Sequence, residues 1–252
     1  MRKTLSLIFF ATVFWTPPVF ARAIDEVCTK ETYDAVGQYL RIENLGPRSQ
    51  GGVIVSESCK SWPYGGNFLL VAFVFDEGIE YEKSLTLALM NKKTKRIVSN
   101  YKGVITEDAV TEVGETSLRL DTARYQLSKD VRAFGLRFNS TARGPSCADG
   151  ASWDELTLFV PEKNNLRPIL KMDMQFQNAL SGCIGSATDH DVWEYGSRTI
   201  SVADTVTNGL SDLRIVETIT VDTDMDNLPR GVSDKKRVNS YFLKFDGKEY
   251  KK

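Results

Sequence analysis

Histidine is almost absent from this chain of 252 residues, and there are only four cysteines. The single histidine, His190, leaves no second imidazole for a metal site, and no pair of cysteines has the C-x-x-C spacing of a structural zinc site. A G-x-S-x-G serine motif and a papain-type cysteine are absent as well. These absences favour a protein that is not an enzyme. We expect no cofactor, and calcium, for which the chain has carboxylate ligands, is the one alternative.

Long apolar runs are also few. Leu5 to Trp15 is one of them, and it is shorter than the roughly 20 residues that a transmembrane helix needs. It follows the cationic start Met1-Arg2-Lys3 and precedes Ala21-Arg22-Ala23, which has the small-x-small form of a signal peptidase site. We therefore expect residues 1–23 to be a secretory signal peptide. Residues 24–252 would then be an exported, periplasmic chain without a transmembrane segment.

An excess of positive charge is missing too. The first 23 residues hold three basic residues and no acid, so residues 24–252 hold 29 basic and 33 acidic residues, a net charge of −4. This balance gives no electrostatic reason to bind nucleic acid. We expect the partner to be a protein or a component of the cell envelope.

The four cysteines, Cys28, Cys59, Cys147 and Cys183, are an even number in a chain that we expect to be exported, which predicts two disulfides. Three pairings exist, and we favour the two that are local in sequence, Cys28 with Cys59 and Cys147 with Cys183. The second bond would join two long segments without strand or helix periodicity, residues 140–152 and 178–191. These segments would then form one organised loop surface, on which His190, in the second segment, is a candidate binding residue.

Most of the periodicity in the chain is that of β-strands. Apolar and polar residues alternate in several segments, for example from Leu170 to Phe176, as in a strand with one buried face. Phe68 to Phe75 is apolar throughout, which predicts a central strand covered on both faces. Helical patterns are confined to the spacing of Tyr33, Val36 and Leu40 and to one or two turns within residues 106–113.

We therefore predict an all-β fold of about ten to twelve strands with few short helices. The order is expected to be antiparallel, because the connections are too short for crossover helices. A sandwich and a barrel-like or propeller-like arrangement of sheets all fit this pattern. Residues 24–252 would form one domain, or two sub-domains divided near residues 140–152.

Two segments outside the strands contain candidate site residues. Trp62 and Tyr64, in the glycine-rich segment that follows Cys59, would stack on a ligand if exposed and would pack in the core if buried. Asp222, Asp224 and Asp226 place three carboxylates at alternate positions, as calcium loops do. Asn227 stands where such a loop has glycine and Ser233 where it has a bidentate acid, so a plain polar loop is the alternative.

One resemblance extends over about the last two-thirds of the chain. Residues 117–125 and 131–135, Cys147-Ala148-Asp149-Gly150 and the closing residues 245–250 resemble segments of an uncharacterised group of exported proteins of Gram-negative bacteria. The resemblance implies a periplasmic location and supplies no activity.

Together these features predict a periplasmic, disulfide-stabilised binding or accessory protein, for example one that acts as an inhibitor or immunity protein. The alternative is a hydrolase of the cell envelope that uses acidic residues and His190. This histidine lies between Asp189 and Asp191, and a carboxylate neighbour would orient a general base.

Overall fold

The computed structural model describes residues 26–64, 66–183, 192–223, 233 and 235–252. The predicted signal peptide lies outside this range. The described chain has one α-helix, α1 (Lys30–Leu40), and one 3₁₀ turn (Arg48–Gln50). Its strands are β1 (Ile54–Ser61), β2 (Phe68–Phe75), β3 (Glu82–Asn91), β4 (Ile97–Thr106), β5 (Leu118–Gln126), β6 (Arg132–Phe138), β7 (Gly150–Glu162), β8 (Asn165–Ser181), β9 (Val192–Thr207), β10 (Leu210–Thr223), β11 (Arg237–Phe245) and β12 (Tyr250–Lys251). The predicted all-β class is confirmed.

The strands form one hydrogen-bonded sheet that does not close. Neighbouring strands pair antiparallel in sequence order within β1–β4 and within β5–β12. A single parallel contact, between Asn100 of β4 and Asn165 of β8, joins the two series. The antiparallel prediction therefore holds for every described pair except this one. Because the sheet is open, the fold is not a closed barrel.

Strand β2 is buried on both faces, as its uninterrupted apolar sequence predicts. Leu70, Ala72 and Val74 face a core shared with β3 and with β5–β7, whereas the alternate side chains, such as Phe73, face a core under α1. The period-two geometry of a strand sends alternate side chains to opposite faces, so an all-apolar strand needs a cover on each. Here the covers are α1 on one side and the β5–β7 strands on the other.

Strands β5–β8 are in turn covered on their second face. Ala133, Leu158 and Ile169 pack in a third core with Leu213 and Ile215 of β10 and with buried residues of β11 and β12. The described chain is therefore layered, in the order α1, β1–β4, β5–β8 and then β9–β12. Strand β2 and strands β5–β8 have residues of these cores on both faces.

Side chains of β1 hold the edge of β5. The Ser56 hydroxyl accepts a hydrogen bond from Leu118 N at 3.0 Å, and the Ser58 hydroxyl accepts one from Leu120 N at 3.1 Å. Both serines are buried. Two backbone amides that no neighbouring strand takes up are thus satisfied by hydroxyls, which fixes β1 against β5.

Helical patterns gave one correct and one wrong prediction. Tyr33 and Val36 of α1 are buried, as their spacing predicts, and the helix ends at Arg41, whose φ is 62°. Residues 106–113 form no helix. The Asp108 carboxylate accepts hydrogen bonds from Val110 N and Thr111 N, which turns the chain directly after β4.

The structure contains the two sequence-local disulfides, Cys28–Cys59 and Cys147–Cys183. The first is buried and ties the segment before α1 to β1. The second ties the connection between β6 and β7 to the residues that follow β8. It thereby joins residues 140–152 to the beginning of the segment 178–191, whose residues 184–191 lie outside the described range.

Candidate functional site

Trp62 and Tyr64 lie side by side directly after β1. The Trp62 ring packs edge-on against Phe134 of β6, with ring centroids 5.6 Å apart, and edge-on against Tyr64 at 6.4 Å. Phe134 is fully buried, whereas 46% of Tyr64 is exposed. Trp62 is thus half-buried and anchors the segment to the core, and Tyr64 carries the aromatic surface outward to solvent.

These two rings line a cleft with the tip of the β5–β6 hairpin. The cleft has a volume of about 740 Å³, and we call it the aromatic cleft. Its hairpin residues are Arg124, Gln126, Lys129, Asp130, Val131 and Arg132. The hairpin turns tightly here, because Leu127 N donates to Val131 O at 2.9 Å. Gln126 and Arg132 are therefore cross-strand neighbours that face the rings.

Arg132 is held in place before any ligand binds. Its guanidinium carbon lies 3.1 Å from the centroid of the Tyr64 ring, a close cation–π contact. Nη1 donates to Gln126 Oε1 and Nη2 donates to Ala123 O, each at 3.2 Å. Burial lowers the pKa of Arg132, but an arginine keeps its charge at physiological pH. The result is a fixed, planar cation at the wall of the cleft.

The aromatic cleft is positively charged on a molecule that is acidic overall. Arg124 and Lys129 are exposed and stand beside Arg132, with Asp130 as the one acid in the lining. Within the described part of the chain, none of these three cations pairs with a carboxylate. Unpaired cations next to aromatic rings are suited to bind a ligand that has both a flat surface and a negative charge.

A second and larger cleft, of about 1010 Å³, lies between α1, the loop after it and β1. Tyr33 donates a hydrogen bond from its hydroxyl to Glu57 Oε1 at 2.9 Å, and Glu57 Oε2 is buried without a partner among the described atoms. Burial raises the pKa of Glu57, the bond from Tyr33 opposes this rise, and the charge of Glu115 adds to it. We call this the acidic cleft.

Two cations at the acidic cleft do not neutralise Glu57. Lys30 pairs with Asp34 at 2.8 Å, and Arg48 pairs with Asp76. Burial also raises the pKa of Tyr33 well above its ordinary value, and the hydrogen bond to Glu57 adds to the rise. The cleft therefore contains a carboxyl group that the fold biases towards its protonated form, which is the state of a general acid.

A charge network on β5–β7 consists, by contrast, of ion pairs between neighbouring strands. Arg137 Nε lies 2.9 Å from Asp121 Oδ2, and its Nη1 donates to Asp154. Burial alone would raise the pKa of Asp121, but hydrogen bonds from Ala123 N and Tyr125 and the charge of Arg137 together lower it. The network links the three strands. Asp154 Oδ1 accepts no hydrogen bond among the described atoms and lies 3.5 Å from Arg119 Nη2.

The other predicted site residues fall largely outside the described range. His190, Asp224 and Asp226 are not in it, and of Asp222 only the backbone is described, at the end of β10. Among the side chains that are described, no group of three or more His, Cys, Asp or Glu residues could hold a metal ion. The calcium loop at Asp222, Asp224 and Asp226 therefore stays a prediction.

Sequence patterns pointed to Trp62 and Tyr64 but missed Arg132 and Glu57. The Lys129-Asp130 pair is a recognisable turn signal, yet nothing local relates residue 132 to residue 64. The bond between Tyr33 and Glu57 likewise spans 24 residues. These partners become visible only once the strands are paired.

In comparisons with protein families, with curated proteins and with solved structures, nothing matches this chain. In the described part of the structure, α1 does not have the length and apolar character of a membrane-spanning helix.

Proposed function

We propose that the protein is an exported binding or accessory protein that holds a component of the cell envelope in its aromatic cleft. The proposal depends on the contact between Tyr64 and Arg132. The guanidinium stacks on the ring and holds it in place, and Tyr64 remains partly exposed to solvent. Fixing side chains in advance lowers the entropy cost of binding. Side chains that are held in place in an open cleft before a ligand arrives are typical of a binding site.

Three further observations support an exported, periplasmic location. The charged start, the apolar run and the Ala21-Arg22-Ala23 segment have the form of a signal peptide. The two disulfides suit an oxidising compartment, where such bonds persist. The resemblance to exported proteins of Gram-negative bacteria points the same way.

A protein partner, as for an inhibitor or immunity protein, would use the same exposed ring and cations.

The proposal is tested by calorimetric titration of residues 24–252 with soluble peptidoglycan fragments and with lipopolysaccharide from a Gram-negative bacterium. We expect one of the two to bind, and Tyr64→Ala to weaken that binding by about tenfold or more, as the loss of an anchoring aromatic does. Tyr81→Ala, at another exposed tyrosine outside the cleft, is the matched control and should bind as the unmodified protein does. Equal binding by all three proteins, or none with either probe, would contradict the proposal.

The second candidate function is a hydrolase of the cell envelope. It is favoured by Glu57, a carboxyl group with a raised pKa in the acidic cleft, which is larger than the aromatic cleft. His190 would be its base, on the sequence argument. New reducing ends or free carboxylates that accumulate during the titrations, and that disappear with Glu57→Gln, would favour this function over binding alone.

A further inference from the structure

We infer that the ligand of the aromatic cleft is an anionic saccharide, a chain of sugar rings that carries carboxylate or phosphate groups. This inference rests on the proposed function and names the ligand class of the same site. It depends on three properties of the cleft: the number of hydrogen-bond donors that Arg132 keeps free, the placement of the other cations, and the exposed surface of Tyr64.

Arg132 retains donors for a ligand. A guanidinium has five N–H groups. The bonds to Gln126 and Ala123 use one hydrogen on Nη1 and one on Nη2, and Nε is buried without a described partner. These two bonds leave one further hydrogen on each terminal nitrogen beside the contact with Tyr64, and guanidinium N–H groups are suited to the oxygens of a carboxylate or phosphate.

Arg124 and Lys129 extend this donor set along the cleft. Both are exposed, and they lie at different points of the hairpin, Arg124 in β5 and Lys129 in the turn. Three cations spread over one hairpin favour a ligand with several negative charges over one with a single charge. On a chain with a net charge of −4 over residues 24–252, this local excess also attracts anions selectively.

The ring of Tyr64 favours sugars over other anions. The guanidinium covers one face of the ring, and Tyr64, which is 46% exposed, brings aromatic surface into the lining of the cleft. A sugar ring offers an apolar face for such a surface and hydroxyl groups for neighbouring polar side chains such as Gln126. An acidic peptide or a free anion would leave this aromatic surface unused.

The test compares tetragalacturonic acid with its complete methyl ester, a saccharide of the same length and ring structure without charge. We expect calorimetric titration of residues 24–252 to show at least about tenfold tighter binding of the acid, the factor that one charge-assisted hydrogen bond of ordinary strength gives. Raising the salt concentration from about 50 mM to about 200 mM should reduce this factor, because the exposed cations become screened.

Lys129→Gln should weaken binding of the acid by about threefold to tenfold and leave binding of the ester unchanged. Lys93→Gln is the matched control, since it removes the same charge from another exposed turn and should change neither. Both positions are exposed, so the variants are expected to fold, and equal melting temperatures would verify this.

A comparison of galactose 6-phosphate with monomeric galacturonate tests which anion the cleft prefers. Tighter binding of galactose 6-phosphate would support phosphate as the natural charge, and tighter binding of galacturonate would support carboxylate.

Equal binding of acid and ester at low salt would overturn the inference and leave the proposed binding function intact. Tetraglutamate that binds as tightly as the saccharide acid would also overturn it, because the sugar would then contribute nothing. If neither saccharide, nor peptidoglycan fragments, nor lipopolysaccharide binds, the proposed function fails and the ligand class fails with it.

Discussion

At the scale of single residues, Glu57 is a carboxyl group that the fold removes from water and leaves without a cation. Its described contacts are the hydroxyl of Tyr33 and the unfavourable charge of Glu115. Its folded pKa lies above the ordinary value of 4.5. The folded protein therefore binds this proton more readily than the unfolded chain does. The stability that this proton contributes is complete below the unfolded pKa and is lost as the pH rises through the folded pKa.

Glu57→Gln should therefore raise the free energy of unfolding at about pH 7 and have little effect at about pH 4, where the native carboxyl is already protonated. The amide oxygen can still accept the hydrogen bond from Tyr33, so the packing is retained. Urea unfolding at both pH values measures the difference. Glu80→Gln, at an exposed acid, is the control and should show no such pH dependence. A gain of the same size at both pH values would mean that the charge of Glu57 is not its cause.

Individual site residues were predictable only where a local pattern marks them. Trp62 and Tyr64 stand out because aromatic residues beside glycine and proline are unusual in a strand connection. Arg132 does not stand out, since an arginine at the start of a strand has many ordinary roles. Its importance comes from Tyr64, which is 68 residues away in the sequence. Period-two patterning shows which face of a strand is buried, but it does not show which strands lie next to it.

At the scale of elements, serine side chains of β1 accept hydrogen bonds from the backbone of β5, whereas paired strands are joined by hydrogen bonds between their backbones. Ser58→Ala should lower the free energy of unfolding by about 1–2 kcal/mol, because the buried Leu120 amide would lose its acceptor. Ser197→Ala is the matched control: this strand serine is exposed, and its hydroxyl has no hydrogen bond in the described chain. Urea unfolding of both variants gives the comparison. Equal, negligible losses would show that the hydroxyl of Ser58 does not hold β5.

The elements themselves were largely predictable. The uninterrupted apolar sequence of β2 correctly indicated covers on both faces, and the alternation from Leu170 to Phe176 marks part of β8. The wrong helix at residues 106–113 shows how one carboxylate, Asp108, redirects a backbone that otherwise has a helical pattern. The parallel contact between β4 and β8 had no sequence signal, because it depends on how two series of strands meet.

At the scale of the whole molecule, the two disulfides differ in their access to solvent. Cys28 and Cys59 are 6% and 1% exposed, whereas Cys147 is an exposed residue on a loop. Mild dithiothreitol applied to the native protein should therefore release the Cys147 and Cys183 thiols first, because exchange requires the thiolate to reach the sulfur. Alkylation followed by peptide mass mapping measures the order. Release of all four thiols together would show that the buried bond opens as readily as the exposed one.

The exposed bond has a definite place in the architecture. It lies at residues 140–152, where the sequence suggested a division into two sub-domains, yet β6 and β7 pair directly across this segment. Cleaving the bond should therefore loosen a connection and leave the strands on either side of it paired. The sequence-local pairing of the cysteines could be predicted from their spacing, because each bond closes a loop of moderate length.

The layered packing of β5–β8 also bears on how this protein tolerates mutation over evolutionary time. Strands with both faces in a core accept few changes, since each substitution alters one tightly filled interior or the other. The tip of the turn, at Lys129 and Asp130, lies beyond those interiors, and both residues are exposed. Residues there can diversify while the layers stay constant. Related chains would then share one scaffold and diverge in the charge that their hairpin tip presents.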